Sequence, residues 1–121
     1  MPIEIEITLD STDPERLVPF WTAALGYHRV YAHDPYIGLA PLEGNGPRIL
    51  LQRVPEPKTG KNRMHLDIRT EDYEGLAERL VALGARRLHP GVTTEHGTTS
   101  SWIVMADPEG NEFCVCSARP T

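Results

Sequence analysis

The chain has 121 residues, with 12 Lys or Arg against 17 Asp or Glu and a formal charge of −5. That length suits one domain of ordinary size with its own core, and the acidic balance argues against nucleic acid or an anionic membrane as partner, since both select a basic face. No apolar run reaches the roughly 18 residues of a membrane-crossing helix, and the start MPIEIEI has neither a basic region nor an apolar signal core, so the expectation is a cytoplasmic protein with reduced thiols.

Residues 3–10 alternate strictly, Ile3, Ile5, Ile7 and Leu9 against Glu4, Glu6, Thr8 and Asp10, which predicts a half-buried strand. Asp13 can accept the first free amides of a helix, and Pro14 suits the first helical position. Leu17, Phe20, Trp21, Ala24 and Leu25 then recur at helical spacing, and Gly26 ends the run as a left-handed cap. Three short strands follow at about 28–33, 36–41 and 48–54, with turns at Asp34-Pro35 and over residues 43–47. Residues 55–62 hold two prolines, a glycine and charges without periodicity and read as a linker between two halves of one domain.

The pattern then restarts. Met64, Leu66 and Ile68 form an apolar strand face, and Arg63, His65, Asp67 and Arg69 the polar one. A second helix presents Tyr73, Leu76, Ala77, Leu80 and Leu83 and stops at Gly84; strands at about 86–89, 101–106 and 112–117 complete the copy. Residues 90–99, rich in Gly, Thr and His, read as a flexible flap, with His96 a surface residue and the best candidate for a lid contact if the loop closes. Setting Glu6 on His65 aligns Asp13 with Asp72, Glu15 with Glu74 and Leu17 with Leu76, and one skipped residue then aligns Leu25-Gly26 with Leu83-Gly84.

This internal repeat defines an α+β protein of two tandem βαβββ units, about 3–54 and 63–117, in a single domain spanning 1–121. Each helix covers one apolar sheet face. The opposite faces are polar, and a curved mixed sheet around a cavity is the arrangement that uses them. His65 and Glu6 then line that cavity as a candidate acid–base pair, with Arg63, Asp67 and Arg69 at its rim. Trp102 offers a flat apolar wall. Cys114 and Cys116 share one strand face, a poor geometry for bridging each other, and with no basic cluster nearby they read as small buried fillers.

The repeat, the Asp13-Pro14-Glu15 cap followed by Phe20-Trp21 and Ala24-Leu25-Gly26-Tyr27, and above all Ala106-Asp-Pro-Glu-Gly-Asn-Glu-Phe-Cys114 resemble the vicinal oxygen chelate superfamily. That group includes glyoxalase I, extradiol dioxygenases, and fosfomycin and bleomycin resistance proteins. Within it the chain is most similar to the small glyoxalase-like domain proteins common in actinobacteria. In metal-dependent members the ligands come from the first strand of each unit, usually His, and the last strand of each unit, usually Glu. Carried over by spacing, those positions are Glu6 and His65 on the first strands, Cys114 on the last strand of the second unit, and Gln52 or Leu50 on that of the first.

A thiol thus stands where the resemblance implies a glutamate. The expectation is a small-molecule binder without the full metal site, its ligand touched by Glu6, Gln52, His65, Asp67, Trp102 and Cys114. No cofactor is favoured; zinc on Glu6, His65 and Cys114 is the alternative. A lyase or isomerase of the glyoxalase kind and a ligand-free interaction module are the rival functions, and the resemblance implies a homodimer.

Overall fold

Residues 4–95 and 97–118 are described by the computed structural model, apart from the side chains of Glu95 and Thr98. Ile3 and the expected lid residue His96 lie outside them. The chain divides into two compact units, Met1–Lys58 and Thr59–Thr121, and the division falls inside the segment expected to be a linker.

The first unit runs β1 (Glu6–Ser11), α1 (Pro14–Leu25), β2 (Tyr27–His33), β3 (Tyr36–Pro41) and β4 (Arg48–Arg53). Its sheet has the order β1-β4-β3-β2, with β1 parallel to β4 and the other pairs antiparallel. Helix α1 buries Leu17, Phe20, Trp21 and Ala24 over Ile37, Leu39, Ile49 and Leu51. The Phe20 and Trp21 rings meet edge to face with centroids 5.2 Å apart. Gly26 closes the helix in the left-handed region, φ 67° and ψ 39°, its N–H donating to the Thr22 carbonyl.

The second unit repeats the order: β5 (Asp67–Thr70), α2 (Tyr73–Ala82), β6 (Arg86–Glu95), β7 (Thr98–Ala106) and β8 (Glu112–Ser117), paired as β5-β8-β7-β6. Here β5 is the strand parallel to β8. Leu76, Ala77 and Leu80 of α2 are buried, as are Ile103, Met105, Phe113 and Val115 of the sheet. Both units carry a register shift at the same aligned place, between Arg29 and Tyr31 in β2 and between Arg87 and His89 in β6. The duplication read from the sequence therefore extends to the irregularities of the sheets. Among the described residues, no helix is long and apolar enough to cross a membrane.

Four local expectations are corrected. The first strand begins at Glu6, and Ile5, ahead of it, is 70 % exposed. The strand expected from residue 63 begins only at Asp67: the side chain of Glu112 holds Lys61 and Asn62 at the head of β8, and the chain bends at Arg63 and Met64 before joining the ladder. Asp13 makes no side-chain cap; its own N–H donates to Ser11 Oγ at 2.9 Å, whereas Asp72 caps α2 by accepting from the Gly75 N–H at 3.0 Å. Helix α2 ends at Ala82, so Leu83 falls past the buried stripe and is exposed.

The flap expected over residues 90–99 is the largest departure. The chain instead continues β6 to Glu95 and starts β7 at Thr98, and beyond the register shift the pairing is unbroken from His89↔Val104 to Glu95↔Thr98. Val92, Thr93, Thr94 and Thr99 are β-branched residues suited to a pleated ladder, and Thr94 and Thr99 share a hydroxyl hydrogen bond of 3.0 Å across it. Gly91 lies opposite Trp102, and a Cβ there would come within 2.3 Å of the indole. The glycine is the seat for the ring. Tyr31 uses Gly38 in the same way in the first unit, where an added Cβ would meet the phenol ring at 2.3 Å.

Candidate functional site

Register decides which side chains share a sheet face, since directly paired residues point the same way. In the second unit Asp67 pairs with Cys114, Arg69 with Cys116, Trp102 with Cys116 and Val104 with Cys114. These six residues occupy the face turned away from α2. Their alternates, among them Ile103, Met105, Phe113 and Val115, fill the buried layer beneath the helix. The first unit has the same division: Glu6, Thr8 and Asp10 pair with Arg48, Leu50 and Gln52 on the polar side, and Ile49 and Leu51 lie on the buried one.

The centre of chemical interest is the start of β5. His65 Nε2 lies 3.1 Å from Asp67 Oδ1, both side chains being about half exposed at 48 %. Cys114 stands opposite Asp67 and is 8 % exposed. Its backbone N–H donates to the Leu66 carbonyl at 2.9 Å, which fixes the segment carrying His65 and Asp67 against β8. Burial pushes the Cys114 thiol up to about 11; the charge of Asp67, with which the thiol hydrogen bonds, pushes the same way. Cys116 is also raised, first by burial and then by Asp67. Neither thiol is a ready nucleophile.

One ligand atom from each of His65, Asp67 and Cys114 lies within 4.8 Å of the others. Imidazole, carboxylate and thiol are all zinc donors, with usual bond lengths of about 2.0–2.3 Å, so the set fits one such ion. A hard cation prefers oxygen, and here only Asp67 supplies it. Spacing points to Glu6 as the third donor and places Asp67 at the rim as a contact to the small molecule. What spacing could not show is the parallel register that puts Asp67 directly across from Cys114.

At the head of β8, two residues before Cys114, is a clasp that sequence reading missed. Glu112 accepts from the Asn62 N–H at 2.9 Å and from Lys61 Nζ at 3.2 Å, while its own N–H donates to Asn62 Oδ1 at 3.3 Å. The contact joins residues 50 apart in sequence, and no local pattern announces it. Trp102 is half-buried beside a depression of about 400 Å³ that also touches Tyr73, Arg87, His89 and Gly91.

Of the remaining expected site residues, Glu6 opens β1 opposite Arg48, is exposed, and lines a groove of about 720 Å³ with Glu4, Gly46 and Pro47. Gln52 is half-buried between Asp10 and Tyr36. The sequence left Leu50 and Gln52 as alternatives for the first unit's counterpart of Cys114. Leu50 pairs with Gly38 and Thr8 as Cys114 pairs with Val104 and Asp67, so the counterpart is Leu50. It has no metal-binding atom in its side chain.

A sequence model described as the glyoxalase-like domain matches residues 6–116. A comparison with curated proteins finds no matching sequence. Among solved structures, the chain is similar to a glyoxalase/bleomycin resistance protein/dioxygenase family enzyme from Burkholderia phytofirmans PsJN, with TM-score 0.75, 15 % identity, and coverage of 94 % of this chain and 97 % of that one. It is also similar to the genomically encoded fosfomycin resistance protein FosX from Listeria monocytogenes, with TM-score 0.75, 16 % identity, and coverage of 98 % and 95 %. FosX from Mesorhizobium loti gives TM-score 0.73 at 15 % identity, covering 98 % and 94 %. At these identities the likeness is one of fold.

Proposed function

The chain belongs to the glyoxalase-like domain family, and from that premise we propose that it binds a small molecule on the polar sheet faces, with His65 and Asp67 as the polar anchor of the second unit and Trp102 as a flat apolar wall. The observation that carries this reading is the 3.1 Å His65–Asp67 pair, half exposed on the same face as Trp102. A purely structural sheet gains nothing from holding an imidazole and a carboxylate open to solvent on a face that also carries an indole, two strands away. A ligand with one flat apolar part and one polar or anionic part complements such a surface. On the first unit's own polar face, Glu6 and Gln52 are the contacts proposed. The raised thiols count against covalent chemistry at Cys114.

A thermal-shift screen of metabolites and antibiotics, followed by calorimetric titration of the metal-free protein with the best hit, tests the proposal. His65→Ala should weaken binding by about 1–3 kcal/mol, the cost of leaving a polar partner unpaired, and Cys114→Ser should cost less. Loss of binding in Cys114→Ser with full binding in His65→Ala would place the chemistry on the thiol and sink this assignment. Turnover of a hit that fails in both Glu6→Gln and His65→Ala would favour the rival lyase or isomerase reading. The family resemblance also implies a homodimer, which light scattering on the purified protein tests directly.

A further inference from the structure

We propose that the second unit by itself forms a metal site, His65, Asp67 and Cys114, whose sulfur donor makes it select zinc or cobalt over manganese and magnesium. Three independent features of the structure support it. The three donor atoms already lie within 4.8 Å of one another, so an ion can be held without moving a strand. The donors are placed by backbone: Asp67 and Cys114 are paired in the parallel ladder, and the bond from the Cys114 N–H to the Leu66 carbonyl holds the residue between His65 and Asp67 against β8. The half-exposed faces of His65 and Asp67 leave room for a fourth, exchangeable ligand.

The choice of ion follows from the donor types. A set of one imidazole, one carboxylate and one thiolate is borderline in softness; affinity rises from manganese toward zinc, and sulfur widens that gap, whereas magnesium has a use for only one of the three donors. The site proposed here also differs from the one expected by spacing, because Asp67 supplies the carboxylate where Glu6 was expected. The proposal does not depend on the small-molecule reading above. A metal-free protein that still binds its ligand, or a metal-loaded one that binds none, separates the two.

The test titrates metal-free protein with cobalt(II), followed by absorbance, and then displaces the cobalt with zinc, manganese or magnesium. One cobalt per chain should bind and give a near-ultraviolet sulfur-to-metal charge-transfer band, which Cys114→Ser abolishes and Cys116→Ser retains. Asp67→Asn should weaken zinc by about tenfold or more, in the range even of outer-shell losses, while Glu6→Gln leaves the zinc affinity within about twofold; circular dichroism of each metal-free variant verifies the fold. Manganese and magnesium should bind more weakly than zinc by about tenfold or more. The proposal is overturned if no band forms, if the band survives in Cys114→Ser, if manganese binds as tightly as zinc, or if Glu6→Gln rather than Asp67→Asn loses the ion.

Discussion

Cys114 shows how one residue changes the chemistry that a position can support. A thiolate has to form before sulfur can attack anything, and here burial and the neighbouring Asp67 raise the thiol from 9.0 to about 11. Near neutral pH the metal-free protein therefore holds roughly a hundredfold less thiolate at this site than an ordinary cysteine would. Native protein without metal should react with iodoacetamide much more slowly than free cysteine, and denatured protein should react at the free rate. Fast, stoichiometric labelling of Cys114 in the native state would contradict this account. The sign for stability follows from the same direction: the folded value is raised, so the contribution is complete below about pH 9 and is lost as the pH climbs through about 11. Replacing Cys114 by Ser should flatten that alkaline decline.

The turn before β8 decides where Cys114 lands. Asp107 is 2 % exposed; its Oδ1 accepts from the Glu109 and Asn111 N–H groups at 2.8 and 2.9 Å, and its Oδ2 from Asn111 Nδ2 at 2.9 Å. Asp107→Asn sets an amide donor against these donors and should destabilise the protein by about 1–3 kcal/mol, measurable by urea denaturation; an unchanged midpoint would mean that the turn is held by other contacts. The pairing of β6 and β7 is as sensitive. Gly91→Ala places a methyl group 2.3 Å from the Trp102 ring, so the indole has to leave its seat, at a cost of about 1–3 kcal/mol and with a shift in its fluorescence. These elements also show what was legible beforehand. Strand alternation, helix stripes and the Leu-Gly stops carried the two βαβββ units, because burial imposes those periods on the sequence itself. The extension of β6 and β7 reads as a flap in the sequence because Gly91, Gly97 and the threonines look like loop composition, while the ladder that absorbs them is a pairing between strands. The candidate cluster was half legible for the same reason: spacing singles out His65 and Cys114, but the opposition of Asp67 to Cys114 and the Asn62–Glu112 clasp exist only once β5 lies beside β8.

At the scale of the whole molecule, the division at Lys58 leaves two units of similar size, each with one four-stranded sheet and one helix. Chains of about 60 residues bury only about 60 % of the surface they expose when unfolded and are marginal as separate domains. Each sheet also has just one face beneath its helix. The size argument thus expects neither unit to outlive the other on heating or in denaturant. The chain carries its own reporters for this, since its two tryptophans fall one to each unit, Trp21 at 3 % exposure in α1 and Trp102 in β7. Trp102→Phe leaves fluorescence to report on the first unit and Trp21→Phe on the second. Each replacement shifts its own protein's midpoint, so circular dichroism of the same variant provides the internal reference. In both variants the fluorescence and circular dichroism transitions should coincide and fit one two-state step. A fluorescence transition displaced from the circular dichroism curve in either variant would show that one unit unfolds alone, and the chain would then be two domains in thermodynamic terms.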